Sequence, residues 1–101
     1  MEKREMVARL VEEFGYPEDG AHLVADRLNA MQPAVKRAFE KWWAGDTVQF
    51  EVEGFTVERL AGTVGLKPIA AFLTLDWLVR EPQKAKIAIR RGYDYVALPN
   101  K

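Results

Sequence analysis

A chain of 101 residues, 49% of them hydrophobic, is long enough to close a core around one domain without disulfide or metal staples. Fifteen Lys+Arg balance fifteen Asp+Glu, so a whole-chain charge of zero points to no polyanionic partner. Cysteine and serine are absent and His22 is the only histidine, which excludes thiolate zinc sites, cysteine and serine nucleophiles and multi-histidine centres within one chain.

The first element is helical by period. Met6, Val7, Leu10, Val11 and Phe14 share one stripe, charged residues fill the opposite face, and Gly15 supplies the left-handed residue that ends a helix cheaply. Tyr16-Pro17-Glu18-Asp19-Gly20 is a turn feeding a second helix, with Pro17 at its start and two acids against its N-terminus. Ala21, Val24, Leu28 and Met31 carry the apolar stripe of that helix, with Leu23 beside it. Pro33 breaks it and opens a third, whose buried face is Val35, Ala38, Phe39, Trp42 and Trp43. Adjacent residues lie about 100° apart on a helix, so one tryptophan belongs to the core and the other nearer the surface.

After Gly45-Asp46 the period changes to two. Val48, Phe50 and Val52 alternate with Gln49, Glu51 and Glu53, which predicts a strand with one wet face. Thr56 is the N-cap of a short helix through about Gly62, Gly65-Leu66-Lys67-Pro68 turns, and a longer helix runs from Pro68 to Arg80 with Pro82 just beyond. In the last segment Lys84, Lys86 and Arg90 share one parity and Ala85, Ile87 and Ile89 the other. With a turn at Arg91-Gly92-Tyr93-Asp94 and a return strand Tyr95-Val96-Ala97-Leu98, this predicts a hairpin. No repeat, linker or low-complexity tract divides the chain, so residues 1–101 are expected to form a single domain.

From Gln32 onward the predicted order is helix, strand, helix, turn, helix, strand, strand. In Leu60-Ala61-Gly62-Thr63-Val64-Gly65-Leu66 a small residue stands four before a glycine: Ala61 lets two helices approach, Gly65 takes the turn and Leu66 plugs the core. Over residues 33–98 this resembles the winged helix-turn-helix superfamily. Leu75-Asp76-Trp77-Leu78-Val79-Arg80-Glu81 is further similar to a Gly-Trp-Leu-Ala-Arg-Glu stretch of small bacterial winged-helix domains of unknown function, with Asp76 in place of the glycine and Val79 in place of the alanine. The resemblance implies a mainly α fold with a small β-sheet (α+β), a winged-helix core over 33–98 preceded by two N-terminal helices over 1–31.

Winged-helix domains commonly place the second helix of the motif in the DNA major groove. Residues 1–58 hold 7 Lys+Arg and 12 Asp+Glu, whereas residues 59–101 hold 8 and 3. Lys84, Lys86, Arg90 and Arg91 fall on the predicted wing, where phosphate contacts are usual. The positions facing a groove, however, are Pro68, Ile69, Phe72, Leu73 and Asp76, which cannot read base edges. An apolar face of Ile69, Phe72 and Leu73, with Asp76 at its edge, calls for a cover: the N-terminal helices or a second copy in a C2 dimer.

The expectation is therefore a non-enzymatic protein–protein interaction or assembly module, with an unknown protein partner or a homodimer, no cofactor and no metal. The alternative is a DNA-associated regulator contacting phosphates through Lys84, Lys86, Arg90 and Arg91. Other constellations are explained more simply. His22 and Asp26, at i and i+4, make too poor a ligand set for a metal. Glu51 and Glu53 share a strand face by amphipathicity alone. Trp42-Trp43 with Phe39 fits core packing, and Tyr93 and Tyr95 fit strand propensity rather than base stacking. Few Asn and Gln and 30% charged residues are consistent with a heat-adapted source. Apolar runs are too short to cross a membrane, and Met1-Glu2-Lys3-Arg4-Glu5 lacks the apolar core of a secretory leader, so a cytoplasmic setting is expected.

Overall fold

Helix α1 (Lys3–Glu12) opens with the Glu2 carboxylate accepting the Arg4 N–H at 3.4 Å, and its chain leaves through a Tyr16 N–H donated to the Leu10 carbonyl at 3.0 Å. Helix α2 (Glu18–Asn29) follows Pro17, which sits at the N-cap, one place before the first helical residue. These elements come from a computed structural model that describes residues 2–91, the side chain of Thr63 excepted. The chain divides into two compact units, Met1–Met31 and Gln32–Lys101.

In the first unit α1 and α2 pack on each other. Met6, Val7 and Leu10 of α1 and Ala21, Val24, Ala25 and Leu28 of α2 are buried. Lys3 Nζ meets Asp26 Oδ1 at 2.9 Å, which pins the start of α1 to the end of α2. Val11, expected in the buried stripe, is 37% exposed, because a straight helix with Met6 and Leu10 at its core centre turns Val11 to the flank.

The second unit holds α3 (Pro33–Trp43), α4 (Val57–Val64), α5 (Pro68–Arg80) and α6 (Pro82–Arg90). Prolines stand at the starts of α3, α5 and α6, where the missing N–H costs nothing. Thr56 caps α4, its Oγ1 accepting the Arg59 N–H at 3.1 Å, and Gly65 at φ 79° turns the chain into α5 with Leu66 buried behind it. Ala61 is exposed, so the small residue is not what lets α4 and α5 meet; Leu60, fully buried, faces inward instead. Helix α5 is the centre of this unit. It packs against α3, α4 and α6 and buries every residue from Ile69 to Asp76. Thr74 is tolerated there because its hydroxyl donates to the Ala70 carbonyl at 2.8 Å.

The expected α+β winged helix is not what forms. The described residues contain six helices and no strand or sheet, so the small β-sheet and the wing are both corrected. Residues 48–51, predicted as a strand, have no regular secondary structure, and β pairing amounts to one isolated bridge between Val52 and Phe55. Glu53 (φ 52°) and Gly54 (φ 83°) make the tight turn between them, two left-handed residues in succession. Alternation specifies an extended chain; a sheet needs neighbouring strands as well.

The larger difference is at Lys84–Ile89, read as a strand and found as α6. Ala85, Ala88 and Ile89 are buried at i, i+3 and i+4, while Ile87 is 47% exposed. Pro82 at the first position and the helix-favouring Gln, Lys and Ala that follow override an accidental alternation. The turn beyond Arg91 and the return strand at residues 95–98 lie outside the described residues.

Candidate functional site

The face expected at Ile69, Phe72, Leu73 and Asp76 lies inside the molecule: these residues are 1%, 0%, 2% and 6% exposed. Phe72 meets Phe39 edge-on with ring centroids 5.2 Å apart, and Trp42 at 5.5 Å. Phe39 is fully buried, and Trp42 and Trp43 are both half-buried around it, rather than one inside and one out. Asp76 faces two donors. Its Oδ1 accepts the Gln32 backbone N–H at 2.7 Å and its Oδ2 accepts Arg80 Nε at 2.9 Å.

The four basic residues assigned to a wing lie on α6 and its C-cap. Lys84 pairs with Glu81 at 3.1 Å and Lys86 with Glu53 at 2.6 Å, while Arg90 and Arg91 are exposed. Lys84 and Lys86 project about 160° apart around the helix, so these charges form no single stripe against a phosphate backbone. The Glu81 carboxyl is held below the ordinary carboxylate range, first by its hydrogen bond from Lys84 and then by the Trp77 indole N–H at 3.2 Å.

The acid pairs also separate. Glu51 stands exposed in the segment before the tight turn, and Glu53 is in that turn, engaged by Lys86. Arg59 Nη1 donates to the Gly54 carbonyl at 2.7 Å and its guanidinium lies 4.7 Å from the Phe55 ring centroid, which fixes the same turn from the other side. His22 is exposed and Asp26 is occupied by Lys3. Among the described residues no three His, Asp or Glu converge to hold a metal. Tyr93 and Tyr95 lie outside the described residues.

The first unit also carries a surface groove. A groove of about 570 Å³ runs along α1 and the start of α2, with Val7, Ala8 and Val11 along its length. Arg4 stands at one end with Lys3 and Glu2, an excess of one positive charge; Glu12 and Glu18 stand at the other. His22 also lines it, without a metal partner. Apolar positions between charges of opposite sign can receive an amphipathic helix and orient it.

The apolar stripe of α1 does not announce this groove, because by period α1 reads as a simple amphipath with a solvated outer face. One signal was available. Arg4 stands at the positive end of the α1 dipole and Glu12 at the negative end, the reverse of what an isolated helix favours. No helix among the described residues is long and apolar enough to cross a membrane. No family model, curated protein or solved structure matches this chain.

Proposed function

We propose that this chain is a non-enzymatic protein-interaction module that receives an α-helix in the groove between α1 and α2. The observation that carries the reading is the groove itself: Val7, Ala8 and Val11 between Arg4 at one end and Glu12 and Glu18 at the other. Ala8 is the expected point of closest approach, since a methyl side chain lets a second helix come near. Ile69, Phe72 and Leu73 are buried, which favours α1 and α2 over α5 as the interaction surface. A cytoplasmic setting is part of the proposal and suits a chain without cysteine.

The test uses labelled synthetic helical peptides of about 15 residues, carrying an apolar stripe with arginine near one end and glutamate near the other. Fluorescence anisotropy should show binding in the micromolar range that Ala8→Glu weakens at least about tenfold, because a charge then stands where the partner helix would approach closest. Equal affinity of the native and Ala8→Glu proteins would reject the groove. Random-sequence DNA duplexes at about 50 and about 200 mM salt serve as the second probe. Tight binding that falls by orders of magnitude across that range would replace this reading with a phosphate-contacting one.

A further inference from the structure

We infer that the helix received by the groove is α1 of a second copy of this chain, lying antiparallel about a two-fold axis near Ala8. This rests on the interaction reading above and names its partner. The argument is one of symmetry. Arg4, Ala8 and Glu12 are spaced four residues apart along α1, so they follow one gently drifting stripe with Ala8 at its middle. A two-fold through Ala8 sets Arg4 of one copy level with Glu12 of the other, and the reverse pair forms at the opposite end. Glu18, at the start of α2 and lining the same end of the groove, adds a second carboxylate opposite each Arg4. The surface is thus complementary to itself.

The charge order of α1 supports the same arrangement. Lys3 is taken by Asp26 at 2.9 Å, and Glu13 by Arg9 at 3.0 Å, both inside the unit. Arg4 and Glu12 remain on the groove side, each against the end of the helix dipole that repels it. An antiparallel partner reverses both conflicts, since it brings its negative end beside Arg4 and its positive end beside Glu12. Ala8 and the half-exposed Val11 supply the apolar contact between those ends. A parallel second copy would set like charges together at both ends, and an unrelated acidic helix would satisfy Arg4 while opposing Glu12 and Glu18.

Sedimentation equilibrium of the full chain tests this directly. The native protein should run at twice the chain mass at about 100 µM, a concentration that saturates a micromolar dimer. Arg4→Glu alone and Glu12→Arg/Glu18→Arg alone should each raise the dissociation constant at least about tenfold, read as a shift from mostly dimer to mostly monomer at about 5 µM chain. An equimolar mixture of the two variants should recover the dimer, because each copy then meets its complement at both ends, and the triple variant should recover it alone. Unchanged far-UV circular dichroism shows that loss of the dimer is not loss of the fold. A native protein that stays at one chain mass overturns the second-copy assignment, and so does Arg4→Glu with native affinity. Peptide binding by a monomeric native protein would leave the interaction reading standing with a different partner; no peptide binding and no dimer would remove both.

Discussion

Asp76 shows how a residue suited to a surface earns an interior place. Its carboxylate, 6% exposed, accepts the Gln32 backbone N–H at 2.7 Å and Arg80 Nε at 2.9 Å, so both oxygens are satisfied. Gln32 is the N-cap of α3 and its N–H is one of the donors a helix start leaves over; here a side chain of α5 supplies the acceptor. The glycine of the resembled stretch could supply neither bond. Asp76→Ala should therefore lower stability by about 2–3 kcal/mol, the cost of removing a charged acceptor and orphaning a part-buried donor. Asp76→Asn should lose about half as much, because its amide oxygen still accepts from Gln32 while the charge toward Arg80 is gone. Urea unfolding followed by circular dichroism reads both. A loss below about 0.5 kcal/mol for the alanine variant would show that water replaces the carboxylate at no cost.

At the scale of elements, Glu81 is the corner between α5 and α6. Its N–H is donated to the Trp77 carbonyl at 2.7 Å, its carbonyl accepts from Ala85 at 3.0 Å, and its side chain joins Lys84 and Trp77. Since Lys84 holds the folded carboxyl below its ordinary value of 4.5, this contribution is full above that value and is lost as pH falls through the lower folded value. Acidification from about pH 5 to about pH 2 should shift tryptophan emission as the Trp77 contact breaks, and Glu81→Gln should lack that step while keeping its helicity. An identical acid titration in the variant would detach Trp77 fluorescence from Glu81. The same corner explains what was legible. Helices α1 to α5 follow from stripes, prolines and the Thr56 cap, all local signals. Helix α6 was hidden because Lys84–Arg90 alternates in charge as well as repeating at helical spacing; burial of Ala85, Ala88 and Ile89 by the rest of the unit decides between the two periods. Val48–Val52 reads as a strand and forms none, because the presence of pairing strands is a non-local fact. The groove is half legible: the core assignment of Val7 holds while that of Val11 does not, and the inverted charges at Arg4 and Glu12 are the local signal for it.

For the whole molecule, an overall charge of zero conceals an acidic segment over 1–58 and a basic one over 59–101. Part of that asymmetry is consumed internally: Lys86 of the basic segment meets Glu53 of the acidic one at 2.6 Å, and Arg80 and Lys84 pair with acids of their own segment. Two neutral copies approach without long-range repulsion, so the salt response of their association reports only the charges they bring into contact. Exposed ion pairs are worth about 0.2–1 kcal/mol each. Raising sodium chloride from about 50 to about 500 mM shortens the screening length to a few ångström and should weaken the dimer roughly three- to tenfold. An interface held by Val7, Ala8 and Val11 alone would hold or tighten with salt, because apolar burial is strengthened rather than screened. The triple variant, with Arg4, Glu12 and Glu18 all reversed, restores the same pairs with exchanged signs and should reproduce the native slope. A flat slope for the native protein would leave the dimer, if present, without the charge complementarity from which its antiparallel register is argued.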